Sequence, residues 1–177
     1  MRVALVYLRP RRVGFVRLHG PSKTVGAQAW AEMTIWLKRH NLTEQITCGY
    51  GLTLDDLGKV GEQSRYDACV ELPDGYENLK ADSLAFQHLP GGAFARIRHV
   101  GSYRTIDSVV VTVKEQWLPE QPRLLLDRRR PLLVVYLDEP ASRDVSKLRC
   151  DVCIPVRTHH DDAITRSKAP VAEAVAN

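Results

Sequence analysis

Apolar and polar residues alternate along residues 11–19 and again along 93–100, and each run ends at a glycine, Gly20 and Gly101. Alternation at period two predicts a strand with one buried face. Past each glycine the apolar spacing becomes helical. Val25, Ala29, Met33, Trp36 and Leu37 fall on one helical face in the first segment, and Ile106, Val109, Val110, Val113 and Trp117 do so in the second. Thr24 and Thr105 are the predicted N-caps, since a threonine hydroxyl can accept from an orphan N–H of the first turn. Pro119 is the predicted stop of the second helix. Two more strands follow each helix, 47–54 and 65–72 in the first half, 131–137 and 149–156 in the second. Residues 1–8 and 82–89 add a leading strand to each half, 74–83 form the connector, and 158–177 read as a flexible tail.

The two halves match residue by residue. VRLHGPSKTVGAQAWAEMTIWL aligns without a gap to IRHVGSYRTIDSVVVTVKEQWL, pairing Arg17 with Arg98, Gly20 with Gly101 and Trp36 with Trp117. Further on, RYDACV (65–70) matches RCDVCI (149–154), pairing Asp67 with Asp151. Two blocks in the same order predict an internal duplication. Two copies do not make an open solenoid; they make two units that pack against each other with pseudo-twofold symmetry. The expected fold is α+β: duplicated β-α-β-β modules (about 1–73 and 82–157) in a single domain over 1–157, with an antiparallel sheet and two main helices flanking a central cleft. Gly91 and Gly92 have no counterpart in the first half, where Arg11 and Arg12 stand, so a bulge or sharp bend is expected at the junction.

Composition narrows the function. The 177 residues carry a net charge of +4 and are 44% hydrophobic, which is globular. The excess charge sits in short runs, Arg9, Arg11 and Arg12, then Arg128, Arg129 and Arg130, as on solvated strand edges that block aggregation. No apolar run reaches the ~20 residues of a membrane span. The apolar stretch Val3 to Leu8 is shorter than the ~7–15 residues of a signal-peptide core. A cytoplasmic location is expected. Cys150 and Cys153 form a C-x-x-C, but on a strand positions three apart face opposite ways and cannot share a metal or a disulfide.

Catalytic signatures are absent: there is no G-x-S-x-G, H-E-x-x-H, Walker loop or G-x-G-x-x-G before a helix. Neither a cofactor nor a metal is expected, and His159, His160, Asp161 and Asp162 fall in the tail. Asp67 reads as structural, because its equivalent Asp151 repeats it. What remains is aromatic. Tyr50, Tyr66, Phe94, Tyr103, Trp117 and Tyr136 fall on strands, corners or the sheet-facing side of helices. The seam between the units is the natural concave place for an apolar, aromatic pocket.

PGGAFA…HVGSY, a helix ending WLP, PLLVVYLDEP and CDVCIPV resemble, in order and spacing, the GyrI-like small-molecule-binding domains, also called AraC-type effector-binding domains. RRVGFVRLHGP, GYGLTLDD and RYDACV carry the resemblance in the first half, so it covers roughly 2–157. It implies a tandem strand–helix–strand–strand fold and a binder of small, often cationic and aromatic molecules, fused to DNA-binding regulators or acting alone as a sequestering or gyrase-inhibiting protein. A smaller branch hydrolyses cyclopropane-bearing genotoxins. In many members a pocket glutamate stands two residues before the tyrosine of the PLLVVYLDEP strand. Here that position is Val134, which speaks against an enzyme. The expected function is a multidrug- or effector-type binding protein that holds a flat, apolar or weakly cationic ligand through Tyr50, Tyr66, Phe94, Trp117, Val134 and Tyr136. The alternatives are a macromolecular interaction protein using its arginine edges, and a hydrolase of strained electrophiles. Direct DNA binding is not expected, and each unit already has a partner within the chain, which is compatible with a monomer.

Overall fold

The computed structural model describes residues 2–20, 22–54, 64–73, 76, 84–140 and 143–158. The tail and most of the 74–83 connector lie outside the described residues, as do the four tail residues with ligand-type side chains. In chain order the elements are β1 (Val3–Leu8), β2 (Arg11–His19), α1 (Ser22–Arg39), β3 (Gly49–Thr53), β4 (Arg65–Val70), β5 (Ala85–Leu89), β6 (Gly92–Val100), α2 (Ile106–Thr112), β7 (Leu124–Leu126), β8 (Leu132–Tyr136) and β9 (Arg149–Thr158). The fold is α+β, with every strand pairing antiparallel in the order β1-β6-β9-β8-β3-β4-β2-β5 and β7 on the end of β9.

Each helix buries its predicted stripe. Ala29, Met33, Trp36 and Leu37 of α1 close a cluster over β2 and β4, and Ile106, Val110 and Val113 close another over β6, β8 and β9. α1 ends in a Schellman motif. The Leu42 N–H donates to the Leu37 carbonyl (2.9 Å), the Asn41 N–H to that of Lys38 (3.2 Å), and Asn41 takes the left-handed conformation at φ 56°. Thr105 stands at the N-cap position of α2, whereas Thr24 does not cap α1. α1 already starts at Ser22, so Thr24 is inside it. Thr105 makes no capping bond; its hydroxyl turns back to the Ser102 carbonyl (2.7 Å), while the Ser102 side chain accepts from the Arg104 N–H. After α2 the chain stays helical, first as a π turn over Val113–Trp117 and then as a 3₁₀ turn over Leu118–Glu120 that accommodates Pro119 near its start.

The two halves carry the same local devices. Gly20 (φ 135°) and Gly101 (φ 130°) turn β2 and β6 toward their helices in a backbone region that favours glycine. Each corner is tied down, Gly20 N–H to the Ser64 carbonyl (2.7 Å) and Gly101 N–H to that of Leu148 (2.8 Å). Arg17 grips Asp67 and Arg98 grips Asp151, each through two charge-assisted bonds.

The leading strands do not stay within their own halves. β1 pairs with β6, and β5 pairs with β2. The links Leu8–Arg11 and Leu89–Gly92 must therefore pass each other. A Cβ on Gly91 would lie 2.6 Å from Pro10 Cδ and 2.8 Å from the Leu8 carbonyl oxygen. The expected bend is at Gly92, which has φ 119°. Gly92→Ala should lower stability by about 1–3 kcal/mol, whereas Gly26→Ala should raise it by about 0.5–1 kcal/mol. In α1 the new methyl would meet Tyr66 at an ordinary 3.8 Å. Paired urea melts test both signs.

On the face away from the helices, Val13 of β2, Leu89 of β5 and Phe94 of β6 pack with Tyr50, Leu52 and Leu133 of the central strands. The sheet therefore folds back on itself there. Arginines lock the fold. Arg130 donates to Asp127 (2.8 Å) and to the carbonyls of Gly91, Ala93 and Val156, with its guanidinium over Phe94. Arg129 also holds Asp127, so Arg129 and Arg130 are both engaged in the fold. Arg149 and Arg143 hold the Asp138 carboxyl down to about 2. An unfolded aspartate titrates near ~3.9, so this contribution is complete above that pH and is lost as pH falls toward 2. A wild-type acid unfolding transition in this window, weakened in Asp138→Asn, is the expected result of stability measured against pH.

Candidate functional site

β3 and β8 pair where the two halves meet, with Gly51 opposite Val134 and Gly49 opposite Tyr136. On the helix-bearing face this seam has glycine at two positions in a row along β3, so the sheet surface is bare and large rings settle over it. A Cβ on Gly49 would lie 2.3 Å from the Trp30 ring, and one on Gly51 would lie 2.6 Å from the Tyr66 hydroxyl and 3.0 Å from Tyr136. Trp30 comes from α1, Tyr66 from β4, Tyr103 from the corner before α2, and Tyr136 from β8. Each half thus supplies two aromatic rings.

The rings are held by specific contacts. Trp30 Nε1 donates to the Tyr66 hydroxyl (2.9 Å), which lies 3.1 Å from the Tyr136 hydroxyl. Trp30 meets Tyr136 edge-to-face with centroids 5.5 Å apart, and Tyr103 meets Tyr136 at 4.9 Å, distances at which aromatic pairs attract. The Tyr103 hydroxyl shares its proton between the carbonyls of Asp138 (2.7 Å) and Arg149 (2.9 Å). Burial pushes the Tyr66 and Tyr103 hydroxyls up to about 12, and that of Tyr136 well above its ordinary range. These hydroxyls stay neutral at physiological pH, so the seam offers π faces and neutral hydrogen-bonding groups.

The six sequence-predicted residues divide between the two faces. Tyr66, Val134, Tyr136 and Trp117 lie on the helix-bearing face: Tyr66 and Tyr136 in the seam, Val134 and Trp117 in the cluster beneath α2. Tyr50 and Phe94 lie on the other face and are not seam residues. The cause is strand parity. Tyr50 sits beside Gly51 on β3, so its side chain points the opposite way. Phe94 is fully buried beneath Arg130. Tyr50 instead lines a cavity of about 670 Å³ on that other face. Sequence reasoning missed Trp30 as a site residue and left Tyr103 and Gly51 unassigned. The G-Y-G of β3 was the available signal, since alternate glycines clear one face for rings.

Asp67 and the cysteines lie where the sequence reading put them. Asp67 is fully buried on the far face, bound by Arg17 and by Gln87 (2.8 Å). Cys150 packs beneath α2 and Cys153 against the opposite core, and all four cysteines are free. Burial pushes the Cys150 and Cys153 thiols up to about 12. Among the described residues no group of three or more His, Cys, Asp or Glu side chains is placed to hold a metal, and no helix is long and apolar enough to cross a membrane.

The sequence profile of the GyrI-like small molecule binding domain matches residues 1–157. The chain belongs to the GyrI-like family. Solved structures share this GyrI-like fold. The EcmrR C-terminal domain superposes with a TM-score of 0.71 at 16% identity, covering 89% of this chain and 98% of that one. The EcmrR chain solved in a DNA complex matches with a TM-score of 0.70 at 18% identity over 89% of this chain, but this chain spans only 57% of it. SAV2435, solved bound to tetraphenylphosphonium, matches with a TM-score of 0.63 at 13% identity, covering 90% and 99% of the two chains. A hydrolase from Listeria innocua matches with a TM-score of 0.56 at 14% identity, covering 88% and 92%. No curated protein sequence gives a significant match to this GyrI-like chain.

Proposed function

We propose that this GyrI-like domain binds a flat, apolar or weakly cationic small molecule at the β3–β8 seam on its helix-bearing face. The observation that carries the reading is the meeting of Trp30, Tyr66, Tyr103 and Tyr136, two from each half, over the glycines of β3. The ligand stacks on the ring faces and takes a hydrogen bond from the one hydroxyl proton that the Tyr66–Tyr136 pair leaves uncommitted. Val134 stands where many family members carry a carboxylate, so attraction for a cation rests on the rings, at roughly 0.5–2 kcal/mol per cation–π contact. A binding role for the domain is further supported by the tetraphenylphosphonium-bound neighbour.

Isothermal titration and thermal shift with tetraphenylphosphonium and a panel of planar dyes test the reading. Ligand at a hundredfold excess over Kd stabilises the fold by about 2.7 kcal/mol, a readily visible rise in Tm. Gly51→Val, which puts its side chain against the Tyr66 hydroxyl, should abolish both signals. Equal binding by wild type and Gly51→Val would place the ligand elsewhere.

A further inference from the structure

From the cavity on the face away from the helices we infer that this chain has a second binding site, separate from the seam, for an amphipathic organic anion: a flat apolar body carrying a carboxylate or sulfonate. Its volume of about 670 Å³ lies within the ~300–1,000 Å³ of small-molecule pockets. The apolar lining comes from Leu133 and Val135 of β8 and from Leu8 and Leu89, beside the crossing links. Three arginines line it as well, Arg9, Arg11 and Arg96.

The arginines differ in what they already hold. Arg11 is spent on Glu71, with Nη1 at 2.7 and 2.9 Å from its two carboxylate oxygens. Glu71 also accepts from the Tyr50 hydroxyl, which in turn accepts from the Cys48 thiol (3.1 Å). That wall is self-satisfied. Asp151, the other acidic group on the lining, is taken by Arg98. Arg96 reaches it only at 3.9 Å, which leaves the guanidinium most of its donors. The Arg9 side chain forms no ion pair or hydrogen bond among the described residues. A recess with an apolar wall from Leu8, Leu89, Leu133 and Val135 and two under-committed guanidinium groups on its charged side selects a ligand that is apolar at one end and anionic at the other, since carboxylates and sulfonates match the guanidinium fork. The seam selects the opposite: neutral or weakly cationic ring systems. Two faces of one sheet thus offer two ligand chemistries.

Anilinonaphthalene sulfonate, a flat fluorescent anion, is the probe. The full chain should bind it saturably, and the Arg9→Glu/Arg96→Glu double variant should bind about tenfold more weakly or worse, given the strength of charged hydrogen bonds. Both side chains are at the surface, with Arg96 43% exposed and 3.9 Å from Asp151, so the double variant should stay folded with a Tm slightly below that of the wild type. If it does not fold, the single Arg9→Gln and Arg96→Gln variants take its place. Gly51→Val should bind the probe as wild type does, which separates failure of this site from failure of the seam. Probe binding should also slow alkylation of Cys48 by iodoacetamide, followed by mass spectrometry. Absence of saturable binding, undiminished binding by the charge-altered variants, loss of binding in Gly51→Val, or unprotected Cys48 would each overturn the inference.

Discussion

Tyr136→Ala is expected to destabilise the fold by about 2–4 kcal/mol and to remove ligand binding at the seam. Tyr136 is the ring on which the others converge: Trp30 meets it by its edge, Tyr103 packs on it, and its hydroxyl lies 3.1 Å from that of Tyr66. Truncating a buried aromatic residue costs ~3–5 kcal/mol through lost transfer energy and the cavity left behind, and the half-buried position of Tyr136 sets the lower figure. Tyr136→Phe keeps the ring and loses one hydrogen-bonding partner, which costs about 1 kcal/mol. Urea melts of the two variants, with tetraphenylphosphonium titrations of each, separate ring from hydroxyl. If Tyr136→Ala binds as tightly as wild type, the ring is not part of the site.

Asp67→Ala should be the most damaging change away from the seam. Its carboxylate is wholly buried and takes two bonds from Arg17 (2.7 and 2.8 Å) and one from Gln87 (2.8 Å). Removing one member of a buried pair strands the other and costs ~3–5 kcal/mol. The Arg17 side chain keeps 33% of its exposure, so water recovers part of that, and about 2–4 kcal/mol is expected. Asp151→Ala is the internal comparison. Its partner Arg98 is 50% exposed, so the loss should stay below about 2 kcal/mol. Reversed ranking in chemical melts would contradict this account of the two pairs.

The Arg17–Asp67 and Arg98–Asp151 pairs also show what the sequence made legible. Both arginines and both aspartates appeared as matched positions in the two halves, and the structure joins them two by two. Strand and helix periods were readable in β2, β6 and the two helices, while β4 and β9, buried on both faces, read as near-continuous apolar runs. Pairing between distant strands was not readable. Nothing local in VALVYL or AFQHL says that β1 joins β6 and β5 joins β2, and only Gly91, pressed against Pro10, records the crossing. Of the proposed seam, Tyr66 and Tyr136 followed from their strands; Tyr50, also expected there, lies on the opposite face because it neighbours Gly51 on β3. Trp30 escaped because it lies beside the buried Ala29–Met33 stripe of α1, where helical periodicity assigns a residue to the flank. A flanking tryptophan on α1 still reaches the seam because Gly49 leaves the space its ring fills.

Trp30 makes the central claim directly measurable. A flat ligand stacked at the β3–β8 seam lies against Trp30, while Trp36 is buried under α1 and Trp117 beneath α2. Tryptophan fluorescence of the wild type, titrated with tetraphenylphosphonium, should quench saturably. In Trp30→Phe most of that quenching should vanish, while calorimetry still detects binding with reduced affinity. No binding of tetraphenylphosphonium or of any planar dye to the wild type, or quenching of full amplitude in Trp30→Phe, would contradict the assignment of the ligand to the seam.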